Sequence, residues 1–362
     1  MNNSAEILFK LVSIGLGLET DFSLPDKVDW TAVIDLSFAQ GVAALAVDGI
    51  QKIYDSDPGA VSGLYNPELE DQRTEWMGQT LVEESGCFTR ESATRRLVRY
   101  WSENGIPATI LKGSVIAQYY PVPPHRCSCD LDLFIGDAWE RGCAILEKKG
   151  ININYEIYKD AQFYVKGVYV ECHRYLMSIR GNETLRRCEL YLRSLLEKGR
   201  VQIGTELLYM PPLMFNVIFC VEHARGHLLY DKLILRHICD WMVLRRQDVD
   251  WDEFRKRCDE FGFTRFADLL DRLADLIEGK LCYGDMTRIE KRVVDEMLSV
   301  GMDSLDAAEP QAEPKSIFRR RVSVFFSILR NGWKYKEFND VSMPVALTRQ
   351  VWHHFFNRKV KL

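Results

Sequence analysis

What the chain lacks narrows it first. Its 47 lysines and arginines against 52 aspartates and glutamates leave a net charge of −5 over 362 residues. No global field therefore advertises a nucleic-acid partner, although a local basic groove stays open. The ten cysteines include no Cys-x-x-Cys pair, and Cys127-Ser128-Cys129 is too tight for ordinary tetrahedral zinc spacing. They read as reduced, mostly buried thiols of a cytoplasmic protein. The N-terminal stretch has no basic leading segment, and Glu6 and Lys10 interrupt its apolar residues. That predicts neither a signal peptide nor a membrane span. No internal repeat is present.

What remains is ordinary globular material, 47% hydrophobic and 27% charged. The length suggests two or three domains, since single cores rarely grow past roughly 250–300 residues. Residues 1–105 read as a helical region, with apolar residues at three- and four-residue intervals and Gly105 as a C-cap before Pro107. The grammar then changes. An apolar run at 108–111, a Lys112-Gly113-Ser114 turn, a short helix over VIAQYY, a Pro-rich loop at 121–129 and a strand at 130–135 follow in order. Asp137 and Glu140 predict a capping box for a helix ending at Gly150, and INYEIY, AQFYV and VYVECH read as strands, the last two joined across Lys166-Gly167. Residues 106–210 thus form a small α/β core, bounded by Pro211-Pro212. Residues 211–305 read as a helical C-terminal domain, with a capping box at Asp250 and Glu253. Residues 306–362 read as a polar linker followed by a basic amphipathic tail, Arg319 to Lys336, that packs on its own protein. The fold class is α+β, a small mixed sheet flanked by helical regions.

Two carboxylates, Asp130 and Asp132, open the apolar run Leu131, Leu133, Phe134, Ile135. Side chains two apart on a strand share a face, so both oxygens can reach one hard cation; solvent-facing turn acids are the plain alternative. Gly113 and Ser114 lie between a strand and a helix, where free amides receive an anion, with Lys112 and Arg126 adding positive charge. Glu171, set mid-strand between Val170 and Cys172, asks for a partner. It would complete a three-carboxylate site for two metals and act as ligand or general base; an acid on an exposed edge is the alternative.

These residues together are familiar. Leu111-Lys112-Gly113, Tyr120-Pro121, Arg126, Asp130-Leu131-Asp132-Leu133 and Glu171-Cys172-His173 resemble an uncharacterised bacterial nucleotidyltransferase family of the polymerase-β-like superfamily. The likeness covers about 106–175 firmly. It implies a minimal nucleotidyltransferase sheet, Mg²⁺ or Mn²⁺ as cofactor, and transfer of a nucleoside monophosphate from an NTP such as ATP to an acceptor. Gly113 and Ser114 would hold the triphosphate, Asp130 and Asp132 the metals, and Glu171 the third acidic position, with Arg126 and His173 as neighbours. The loop from Ser114 to Asp130 is longer than in compact antibiotic-modifying members, which leaves the phosphate contacts open.

His223 and His227 share one helical face, but Ala224 stands where a zinc protease needs glutamate. Arg236 and Asp240 also share a face; they form either an intrahelical ion pair or, with His227, the cleft wall facing the metals and touching nucleotide or acceptor. The competing expectations are an inactive nucleotide-sensing or protein-binding module on the same fold, and a toxin-like adenylyltransferase. The acceptor itself is not readable.

Overall fold

The computed structural model describes residues 1–155, 160–179, 182–203, 208–230, 232–299 and 331–339, together with 344, 345 and 348. The N-terminal helices are α1 (Asn3–Gly15), α2 (Trp30–Ala39), α3 (Ala43–Ser56) and the 34-residue α4 (Glu70–Glu103). Capping explains their starts: the Asn2 side chain accepts from the Ala5 amide, and that of Asp29 from Ala32. The C-cap of α4 is Asn104, and Gly105, read from the sequence as the cap, follows one residue later in the left-handed conformation at φ +66°.

A five-stranded mixed sheet comes next, in the order β1 (Thr109–Ile110), β2 (Asp130–Phe134), β5 (Val168–His173), β4 (Asp160–Val165), β3 (Asn154–Tyr155). β1 runs antiparallel to β2, β2 parallel to β5, and the β4–β5 hairpin closes across Lys166-Gly167 as the sequence predicts. The one-turn helix α5 (Gly113–Ile116) links β1 to the proline loop, and α6 (Trp139–Glu147) follows β2. Two details differ from expectation. Asp137 does not cap α6, whose N-cap is Ala138 with no side-chain bond; the Asp137 carboxylate takes Arg193 instead. Helix α7 (Glu183–Lys198) and the small β6–β7 pair (Val201–Gln202, Tyr209–Met210) were not anticipated. Of INYEIY, only Asn154 and Tyr155 form a described strand, and residues 156–159 lie outside the described set.

The C-terminal helices are α8 (Leu213–Tyr230), α9 (Leu235–Leu244), α10 (Trp251–Phe261), α11 (Thr264–Ile277) and α12 (Arg288–Leu298). Asp250 caps α10 through the Glu253 amide, but Glu253 turns to Arg257 rather than back, so that box is half made. Thr287 and Glu290 make a complete one at α12. Of the expected linker and tail, the helix Gly332–Phe338 is described; it buries Lys334, Tyr335 and Phe338 against the protein, while 300–330 lie outside the described residues. No described helix is long and apolar enough to cross a membrane.

Two apolar cores hold these parts. One gathers α1–α3 together with α8–α12, so the two helical regions flanking the sheet share a single interior. Ser13 Oγ donates to the Ile277 carbonyl (2.9 Å) and Gln40 Nε2 to that of Met297 (2.9 Å), polar stitches across the same junction. The other core lies beneath the sheet, where Leu131, Leu133, Val170 and Cys172 meet Leu97 and Trp101 of α4. Period-two alternation then forces residues 130, 132, 169, 171 and 173 onto the opposite face, toward α8 and α9.

Candidate active site

Register assembles the acidic cluster. Asp130 lies opposite Tyr169, Asp132 opposite Glu171, and Phe134 opposite His173 on the parallel β2–β5 pair. Register partners share a face, so Asp130, Asp132 and Glu171 project together. Donor atoms of Asp132, Glu171 and His173 lie within 4.8 Å of one another. Two carboxylates and an imidazole so grouped could hold a metal ion, and Asp130, on the same face, lies outside that group.

Lys112 shares this group. Its position follows from the sheet: the Leu111 amide bonds the Asp132 carbonyl at 3.0 Å, extending the β1–β2 ladder by one residue. The chain then turns sharply, with Lys112 at φ 51° and ψ −123°, a conformation glycine normally fills. Such strain costs roughly 1–3 kcal/mol. It persists because the Lys112 carbonyl accepts the Val115 and Ile116 amides (3.0 and 2.9 Å) while its ammonium is anchored. That ammonium donates to Asp132 Oδ1 at 2.6 Å and lies 3.7 Å from Glu171 Oε2.

His173 completes the compensation. It is 1% exposed, donates Nε2–H to Asp132 Oδ1 at 2.6 Å, and binds Asp160 through Nδ1. Both ring nitrogens face carboxylates, so the ring is held as imidazolium. Burial works against that charge, but Asp160 and Asp132 outweigh it and raise the His173 pKa. The same balance holds Asp132 ionised far below the usual carboxylate range: burial opposes its charge, and Lys112 and His173 override burial. Glu171, with burial dominant over the attraction of Lys112, is pushed up. Lys112 and His173 already supply positive charge, consistent with the rule that buried ions are paired.

The remaining candidates divide. The amides of Val115 and Ile116 are spent on Lys112, and no described group accepts those of Gly113 and Ser114. A Cβ at Gly113 would stand 2.6 Å from Arg126 Nη1 and 2.8 Å from Ser128 Oγ, so a side chain there would have to displace Ser128 and the guanidinium that Asp240 holds. Arg126 lies flat on Asp240, Nε to Oδ1 at 2.8 Å and Nη2 to Oδ2 at 2.7 Å. Tyr120 also donates to Asp240, at 2.8 Å. Asp240 thus pairs with Arg126 across the cleft, and the intrahelical pair with Arg236 is not formed; Arg236 reaches the Cys127 carbonyl instead (3.2 Å). Lys112, Arg126, His223, His237 and Asp240 line one small cleft between the sheet and α8–α9. His227 and Arg236 stand beside it. His223 and His227 meet at 3.2 Å between Nε2 atoms, and the His227 ring stacks on His237. His237 Nδ1 accepts the Ile234 amide (3.1 Å), which leaves the ring proton on Nε2. A ring so engaged has no lone pair left for an ion. Burial and the neighbouring His227, Arg236 and Arg126 keep it neutral.

Sequence reasoning missed Asp160 and His237, and it placed Lys112 beside the Gly113-Ser114 turn without the Asp132 and Glu171 carboxylates that its ammonium meets. Asp160 had a weak signal, an acid opening the strand that pairs with His173. A search of curated proteins and of solved structures returned no match. Residues 26–278, most of the chain and all of the site, match a family described as uncharacterised nucleotidyltransferase, and the chain belongs to that family.

Proposed function

We propose that the protein transfers a nucleoside monophosphate from an NTP to an acceptor hydroxyl, on a small molecule or a protein, with Mg²⁺ or Mn²⁺ held by Asp130, Asp132 and Glu171. The observation that carries this reading is the register match of Asp132 with Glu171 and the shared face of Asp130, beside the amides of Gly113 and Ser114. The donor set fits a hard cation: carboxylate oxygens on two rigid strands, one of them held ionised by Lys112 and His173. When bound, that cation neutralises the polyphosphate and makes its α-phosphorus electrophilic.

The chain's own residues do the rest. The Gly113 and Ser114 amides receive phosphate oxygens. The acceptor oxygen bonds to the α-phosphorus as the α–β phosphoanhydride bond breaks and pyrophosphate leaves. Glu171, on the same face, serves as metal ligand or as the base that accepts the hydroxyl proton. His173 and Asp160 hold Asp132 in one orientation. His227, Arg236 and the Arg126–Asp240 pair border the cleft where nucleotide or acceptor enters.

Binding of a panel of NTPs with Mg²⁺ or Mn²⁺, to wild type and to the Asp130→Ala/Asp132→Ala variant, tests the reading. Loss of binding in the variant is expected, and equal binding would refute it. One observation favours a second reading, an inactive nucleotide-sensing or protein-binding module: Asp132 is already compensated by Lys112 and His173. Incubation with α-labelled NTP and cell extract separates the two, since only the enzyme transfers label and releases pyrophosphate. A toxin-like adenylyltransferase would move the label onto a protein or an RNA end.

A further inference from the structure

We infer that Lys112 is a resident counter-ion that competes with the divalent cation, bridging Asp132 and Glu171 in the resting protein and passing to the substrate's polyphosphate when the cation arrives. This rests on the reading above. Its ammonium takes Asp132 Oδ1 at 2.6 Å and lies 3.7 Å from Glu171 Oε2, oxygens that a bridging cation would need. An ion bound to carboxylates at about 2.1 Å cannot share those oxygens with an ammonium without strong like-charge repulsion.

The receiving end is close in sequence. Lys112 immediately precedes Gly113 and Ser114, whose amides no described backbone carbonyl accepts and which, on the reading above, meet the polyphosphate. A lysine is suited to such a handover, being a compact charge with three donors on a flexible four-carbon stem. Arg126, the neighbouring cation of the cleft, is not, because both its Nε and Nη2 are committed to the Asp240 carboxylate. The backbone at Lys112 stays pinned throughout by the Val115 and Ile116 amides, so the side chain can swing while the turn holds.

Metal and nucleotide then bind with positive coupling. The cation alone must displace Lys112 with nowhere favourable for the ammonium to go, whereas nucleotide supplies the phosphate that receives it. By linkage, nucleotide tightens metal as much as metal tightens nucleotide.

Mn²⁺ binding, followed by its paramagnetic resonance signal, tests this with and without a non-hydrolysable NTP analogue. Wild type should bind Mn²⁺ weakly alone and about tenfold or more tighter with the analogue. Lys112→Met should bind Mn²⁺ alone about tenfold tighter than wild type, gain less from the analogue, and show a larger thermal stabilisation by Mn²⁺. Lys112→Gln, neutral but still a donor to Asp132, repeats the test should the methionine variant not fold. If wild type forms the ternary complex yet neither variant gains affinity for Mn²⁺ alone, the inference is overturned while the proposed function stands. If wild type takes no Mn²⁺ even with the analogue, both fall.

Discussion

Replacing each aspartate of the pair by asparagine separates what the two carboxylates do. Asp132 is 3% exposed and accepts two charged donors at 2.6 Å, from Lys112 and His173. Hydrogen bonds to charged groups contribute about 1.5–3 kcal/mol each, and removing one partner of a buried ion pair costs about 3–5 kcal/mol. An amide keeps one oxygen to accept but loses the charge, so Asp132→Asn should fall at the lower end, about 3 kcal/mol. With a urea slope of about 3 kcal/mol/M, the midpoint drops by about 1 M. Asp130 heads the same strand, half-buried, and no described side chain pairs with its carboxylate. Asp130→Asn should stay within about 0.5 kcal/mol of wild type and yet lose Mn²⁺-dependent nucleotide binding. Urea titration followed by fluorescence, run beside a nucleotide-binding isotherm, reads both quantities. Equal destabilisation by the two variants would refute the compensation argument, and wild-type nucleotide binding by Asp130→Asn would refute its part in the metal site.

Other expectations concern the surroundings. Arg126→Ala should cost about 3–5 kcal/mol by stranding buried Asp240, and Arg126→Lys should rescue little because the pair is bidentate; thermal melts check both. Gly113→Ala should destabilise measurably, since its Cβ would meet Arg126 Nη1 at 2.6 Å, and a melt equal to wild type would show that the loop yields freely. His125 binds Asp48 through Nδ1 (2.9 Å) and Glu84 through Nε2 (3.2 Å), and the Asp48 bond, working against burial, raises its pKa. Its folded pKa thus exceeds the unfolded value near 6.5. The stabilisation, about 1–2 kcal/mol, is full below about pH 6.5 and lost as pH rises through the folded value. His125→Gln should flatten that dependence in melts taken across the range.

Much of this protein was legible because its signals are local. A strand with period-two burial puts Asp130 and Asp132 on one face whatever surrounds them, and a mid-strand glutamate between Val170 and Cys172 must face the same polar side. The helical regions before Pro107 and after Pro212 follow from apolar periodicity. Which charges meet across the fold was not legible, because partners far apart in sequence leave no mark on spacing. Arg126 and Asp240 pair over 114 positions, and the helical neighbour Arg236 lost to Arg126 because only the folded cleft brings a guanidinium flat against that carboxylate. The ladder of β1 on β2 decided that the Lys112 ammonium joins the carboxylates, and the hairpin register gave His173 its second acid, Asp160. The sequence by itself thus determined strands β2, β4 and β5, their faces and the acids Asp130, Asp132 and Glu171; packing alone determined how those acids are neutralised, since electrostatic pairing depends on distance in space.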